Sequence, residues 1–127
     1  MNKKKVLIIE DNLWVQEILY TMLSKDYHLI IRSDGAEGIK AFEALGETLY
    51  AVITDAEMPM MNGDAVIDWV QSKNGAMQIL LMVTGSERFD LEHLLRRPNV
   101  QLLKKPFHKS EVLSKLARIS ALQPKAA

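Results

Sequence analysis

The sequence predicts an α/β fold in which a parallel five-stranded sheet is covered by helices on both faces. Three observations carry that expectation. Five short runs are predominantly apolar, without the regular polar–apolar alternation of a half-exposed strand, which marks strands buried on both sides. The segments between them carry apolar residues at helical spacing. Strands that alternate with helices, rather than cluster, imply parallel pairing through crossover connections.

The first strand is Val6 to Ile9, stopped by Glu10-Asp11-Asn12. Asp11 or Asn12 can cap a helix that runs to about Lys25, with Leu13, Val15, Ile18, Leu19, Met22 and Leu23 as its apolar positions. His28 to Ile31 is the second strand. Ser33-Asp34-Gly35 turns into a second helix marked by Ala36, Ile39, Ala41, Phe42 and Leu45 and closed by Gly46. The third strand, Ala51 to Thr54, ends at Asp55. A Met-Pro break at Met58-Pro59 leads through Asn62-Gly63 to a third helix carrying Ala65, Val66, Ile67, Trp69 and Val70.

Asn74-Gly75 ends that helix, and Gln78 to Val83 is the fourth strand, stopping at Thr84-Gly85-Ser86. A weaker helical stretch spans Glu87 to Arg97 and is broken by Pro98-Asn99. The fifth strand, Val100 to Leu103, ends at Lys104-Lys105-Pro106. The last helix runs from about Lys109 to Leu122, with Val112, Leu113, Leu116, Ile119 and Leu122 on one stripe. Residues 1–122 form one domain, and residues 123–127 read as a frayed tail or the start of a linker.

Composition excludes several classes of function. Sixteen basic residues balance sixteen acidic ones, so nothing favours direct nucleic-acid binding or attachment to an anionic membrane. Absence of cysteine removes disulfides, thiol catalysis and cysteine metal sites, and it is compatible with a cytoplasmic location. No apolar run approaches the roughly 18–20 residues of a membrane span. The four apolar residues after the basic start are too few for a signal peptide.

Chemistry collects at the carboxyl ends of the strands, where ligands bind in doubly wound sheets. The first strand ends at Glu10-Asp11, the third at Asp55, the fourth at Thr84 and the fifth at Lys105. With the first and third strands as neighbours, about 4.8 Å apart, Glu10, Asp11 and Asp55 would crowd together and repel unless a cation neutralised them. An all-oxygen, strongly negative ligand set suits Mg²⁺, with Mn²⁺ possible. Thr84 and Lys105 would add a hydroxyl and a positive charge. Together these groups suit a phosphoryl group, with a carboxylate available as nucleophile.

Four motifs stand in order at strand ends: Val-Leu-Ile-Ile-Glu10-Asp11-Asn, Ile-Thr-Asp55-Ala-Glu-Met-Pro59-Met-Met-Asn-Gly63, Met-Val-Thr84-Gly85 and Leu-Leu-Lys-Lys105-Pro106-Phe107. In this combination the chain closely resembles the receiver domain of two-component response regulators, over about residues 4–121. The resemblance implies a flavodoxin-like (βα)5 sandwich with strand order 2-1-3-4-5. It implies that Asp55 is the phosphoacceptor, and that Asp11, Asp55 and the backbone carbonyl of Glu57 ligate Mg²⁺ while Glu10 acts mostly through water. Thr84 would turn its hydroxyl to the phosphoryl group, Lys105 would pair with it, and the Lys105–Pro106 bond would be cis. The implied activity is self-catalysed phosphotransfer from a phosphohistidine donor and later hydrolysis. The implied partners are a cognate histidine kinase or phosphotransfer protein and a downstream effector domain or protein.

Two positions depart from the family pattern. Leu102 stands where most receivers have an aromatic residue that moves with the threonine, and Pro98-Asn99 replaces the common Gly-Ala before the fifth strand. The second stiffens its loop. Taken singly, each motif has a plainer meaning: Glu10-Asp11 a solvated helix start, Asp55 a cap, Thr84 a turn hydroxyl, Lys104-Lys105 a solvated pair. His28, His93 and His108 read as surface or strand-end residues, and Trp14 and Trp69 as half-buried helix residues. The methionines, Met58, Met60 and Met61 among them, read as loop and core filling. Two alternatives stay open: a phosphate-independent interaction module of the same fold, and an aspartyl-nucleophile hydrolase or phosphotransferase acting on external substrates.

Overall fold

A computed structural model describes residues 3–85 and 91–122, the last three by their backbone alone. Its strands are β1 Lys4–Ile9, β2 Tyr27–Arg32, β3 Leu49–Asp55, β4 Ile79–Val83 and β5 Val100–Lys104. All pair in parallel, in the order β2-β1-β3-β4-β5. The helices are α1 Leu13–Leu23, α2 Gly35–Leu45, α3 Gly63–Lys73, α4 Leu91–Leu95 and α5 Lys109–Leu122. A 3₁₀ turn, Gly46–Thr48, joins α2 to β3. The flavodoxin-like topology is the one expected. The start of the expected fourth helix, at residues 87–90, and the tail at 123–127 lie outside the described residues.

Alternation along each strand divides the core into two layers. Val6, Ile8, Ala51, Ile53, Leu80, Met82 and Leu103 cluster with Leu19 and Leu23 of α1 and Val112, Leu116 and Ile119 of α5. Leu7, Ile9, Val52, Ile79, Leu81 and Val83 cluster with Phe42 of α2, Val66, Ile67 and Val70 of α3, and Leu94 of α4. Each such side chain contributes about 1.5–3 kcal/mol when fully buried. All seven residues of β3 are buried, whereas β2, at the sheet edge, is only half-buried. The strand that ends in Asp55 is therefore a central, fully buried element of the sheet.

Helix α1 departs from expectation in two ways. It ends at Leu23, where Ser24 N–H closes onto the Tyr20 carbonyl, rather than near Lys25. Leu13, Trp14 and Ile18 are 70%, 76% and 46% exposed, so Trp14 is not half-buried. Leu19 and Leu23, one turn apart, set the inward stripe with Val15 and Met22, and the opposite face is left to Leu13, Trp14 and Ile18. Trp69 is half-buried as expected, edge-on to Phe42 at 5.7 Å.

The turn before β5 is bolted to its surroundings. Asn99 adopts φ 68°, receives a hydrogen bond from Gln78 at 2.8 Å and donates one to the Gly75 carbonyl at 2.8 Å. Gln71 Nε2 donates to the Pro98 carbonyl at 2.8 Å, and Arg97 pairs with Asp68. These contacts fasten the end of the α4 segment to α3 and the start of β4. Leu102 packs against the α2–α3–α4 layer.

Candidate functional site

The strand ends bring Glu10, Asp55 and Lys105 to one place, and a simple parity relates them to Thr84. Counting by twos, Val6-Ile8 leads to Glu10, Ala51-Ile53 to Asp55, Leu80-Met82 to Thr84, and Leu103 to Lys105. All four continue the rows that face α1 and α5. The register reinforces this, since Asp55 pairs with Met82 and Met82 with Leu103. Leu102 has the opposite parity, which puts it with Leu81 on the other face.

Glu10 is fully buried and Asp55 is 8% exposed. Burying an ionised carboxylate costs several kcal/mol unless it is paired. Lys105 supplies the pairing: its Nζ donates to Glu10 Oε1 at 2.8 Å and lies 3.2 Å from Asp55 Oδ1. The second Glu10 oxygen accepts from the Asn12 N–H at 3.2 Å, and Asp55 Oδ1 accepts from the Ala56 N–H at 2.9 Å. Lys105 points inward, while Lys104 is exposed. The Lys105–Pro106 peptide is cis, as the resemblance implied.

Asp11 is exposed at the mouth. Carboxylate oxygens of Glu10, Asp11 and Asp55 all lie within 4.8 Å of one another. Asn12 rather than Asp11 caps α1, accepting from Trp14 N–H at 2.8 Å and Val15 N–H at 3.3 Å. This leaves the Asp11 carboxylate to the cleft. Partial burial raises the Asp11 pKa, reinforced by a hydrogen bond to Glu10 and by its charge, against the opposing pull of Lys105. For Lys105, burial lowers the pKa, but the hydrogen bond to Glu10 and the charges of Asp55 and Glu10 outweigh it and the net direction is upward.

Three clustered carboxylates, two of them buried, form an all-oxygen donor set whose mutual repulsion a divalent cation would relieve. Thr84 is exposed just past β4, and Glu57 is exposed in the loop after β3. That loop frames a cavity of about 400 Å³ lined by Glu57, Met58, Pro59 and Asn62. Met58 is buried and Met61 packs on the core, but Met60 is fully exposed.

Some supporting residues escaped the sequence reading. Gln16 Nε2 donates to the Glu10 carbonyl at 2.6 Å and to Ser33 Oγ at 3.2 Å, bracing the acidic turn. Nothing in its local sequence separates it from a solvated helix residue. Gly63 opens α3 against the end of β3, with its N–H donating to the Ala56 carbonyl at 2.8 Å. A Cβ there would overlap the Asp55 carbonyl oxygen. The Asn-Gly pair before a helix was the available signal for that close approach.

The chain belongs to the response regulator receiver domain family, whose profile matches residues 6–117. It is a receiver domain of the two-component signalling class. Over 124 residues, 96% of this chain, it is 28% identical to Hybrid signal transduction histidine kinase D of Dictyostelium discoideum. Over the same length it is 30% identical to Sensor histidine kinase TmoS of Ectopseudomonas mendocina. The chain spans only 8% and 12% of those two relatives.

Among solved structures, a response regulator receiver domain protein from Clostridium thermocellum superposes with a TM-score of 0.83 at 20% identity, covering 94% of this chain and 98% of that one. The receiver domain of a sensor histidine kinase from Pseudomonas aeruginosa, with a magnesium ion coordinated in its active-site cleft, gives 0.80 at 22% identity, covering 93% and 98%. No described helix is long and apolar enough to cross a membrane.

Proposed function

We propose that this receiver takes a phosphoryl group onto Asp55 from a phosphohistidine donor and thereby switches its partners. The observation that carries the reading is Lys105 held between buried Glu10 and Asp55, 2.8 and 3.2 Å away, with Asp11 completing the acidic cluster. Glu10, Asp11, Asp55 and the Glu57 carbonyl would hold the divalent cation, Mg²⁺ first and Mn²⁺ as a substitute. Bound there, the cation would neutralise phosphoryl oxygens. The magnesium-bound cleft of the P. aeruginosa receiver supports this by likeness of fold.

In the transfer, an Asp55 carboxylate oxygen attacks phosphorus as the P–N bond to the donor imidazole breaks. The nitrogen leaves with the electron pair and Asp55 becomes an acyl phosphate. The Ala56 N–H, 2.9 Å from Asp55 Oδ1, orients the carboxylate. Lys105 exchanges its Asp55 contact for a phosphoryl oxygen, and the Thr84 hydroxyl turns to another. Water then attacks phosphorus, the bond from phosphorus to the Asp55 oxygen breaks, and inorganic phosphate leaves as the carboxylate is regenerated. Exposed Leu13, Trp14 and Ile18, at the start of the helix that follows Asp11-Asn12, offer the donor an apolar landing surface beside the cleft.

Residues 1–122 act as one cytoplasmic module, with a histidine kinase or phosphotransfer protein upstream and an effector domain or protein downstream. Acetyl phosphate or beryllofluoride with Mg²⁺ should modify or occupy the site, and Asp55→Asn should abolish this. Covalent label on Asp55→Asn at the wild-type level would overturn the assignment. A second reading, switching by protein contact without phosphate, draws on Leu102 in place of the aromatic residue. Failure to bind Mg²⁺ at millimolar concentration would favour it.

A further inference from the structure

At the end of the sheet opposite Asp55, the C-termini of α2 and α3 converge on a cavity of about 590 Å³. Its aromatic lining is Trp69 with Phe42 edge-on at 5.7 Å. Glu43 and Glu47, both exposed, line the same cavity, and neither forms an ion pair among the described residues. The Lys73 ammonium already sits 5.5 Å from the centroid of the Trp69 ring. Its attraction is that of a cation for a π face. Both helices direct the negative ends of their dipoles here, and α2 has no basic residue in its last turn to offset its own.

We infer that this groove binds an arginine side chain presented by a partner peptide. A guanidinium satisfies each feature at once. Its plane can stack on indole where an ammonium only approaches, and its fork of donors suits the carboxylates of Glu43 and Glu47 that line the same cavity. The cavity is larger than one guanidinium, leaving room for the arginine stem and flanking backbone. Lys73 is the internal stand-in that the incoming arginine displaces. The site shares no residue with the phosphoryl cleft, so occupancy does not require Asp55.

The test is fluorescence titration of Trp14→Phe protein, in which Trp69 is the remaining tryptophan. The probe is acetyl-Gly-Arg-Gly-amide, with its citrulline counterpart as the neutral isostere. Saturable change with the arginine peptide is expected, about tenfold weaker with citrulline and in Glu43→Gln/Glu47→Gln protein. Far-UV circular dichroism and melting of that double variant should match the parent. Lys73→Met should bind about twofold more tightly, because the ring face is freed. Asp55→Asn should bind as the parent does, which separates this site from the phosphoacceptor assignment. Absence of saturable change, equal binding of the citrulline peptide, or unweakened binding by the double variant would each overturn the inference. Equal binding of free arginine amide and peptide would overturn its assignment to a peptide partner.

Discussion

Lys105 Nζ donates to the fully buried Glu10 at 2.8 Å and stands 3.2 Å from Asp55, so one lysine compensates two carboxylates ninety-five and fifty residues away in sequence. Removing it strands a buried charge. Lys105→Met should lower the stability of the cation-free protein by about 3 kcal/mol. Added Mg²⁺ should restore part of the loss by supplying the missing positive charge. Urea denaturation with and without Mg²⁺ measures both effects, and an unchanged midpoint would refute the pairing role.

Lys105 also sets an alkaline limit. Its native pKa lies above the ordinary lysine value because the Glu10 hydrogen bond and the two carboxylate charges overcome the effect of burial. The native state therefore binds this proton more tightly than the unfolded chain. That contribution is fully present below the unfolded value, about 10.4, and is lost as pH rises through the higher native value. Stability measured across the alkaline range should fall, and the fall should be shallower in Lys105→Met.

Protons should compete with the cation at Asp11. Burial and Glu10 raise its pKa, so the carboxyl takes up a proton at a higher pH than an ordinary aspartate. Mg²⁺ affinity measured by calorimetry should weaken on acidification before that of an unperturbed carboxylate site would. Asp11→Asn should weaken Mg²⁺ binding by about tenfold or more, by loss of one charged oxygen ligand.

Gly63 is constrained by space. Gly63→Ala would force the new methyl into the Asp55 carbonyl, which moves either α3 or the end of β3. A loss of about 1–3 kcal/mol is expected, together with slower labelling of Asp55 by acetyl phosphate. Labelling at the parental rate with unchanged melting would show that the close approach is unimportant.

Asn12 holds the start of α1 through its side-chain oxygen, which accepts from Trp14 and Val15 N–H groups. Asn12→Ala should cost about 1 kcal/mol of stability. Thermal melting checks this, and a midpoint equal to the parent's would mean that solvent replaces the cap.

The apolar runs and their polar endings already placed Glu10, Asp11, Asp55, Thr84 and Lys105 at strand termini, because a strand buried on both faces leaves a continuous trace in sequence. Strand alternation also made legible which residues share a face: Glu10, Asp55 and Lys105 follow Ile8, Ile53 and Leu103 by two. Helix orientation was less legible. Leu13, Trp14 and Ile18 resemble core residues in a one-dimensional pattern, yet the layer over the sheet admits only the stripe set by Leu19 and Leu23. Sequence alone thus determined the class of fold, the family and the chemical types gathered for a site. Only the tertiary structure decided that the Lys105 ammonium reaches both Glu10 and Asp55, that Asn12 rather than Asp11 caps α1, and that Gly63 lies against the Asp55 carbonyl. Those outcomes depend on strand register and on the distance between elements far apart in the chain, which no local propensity encodes.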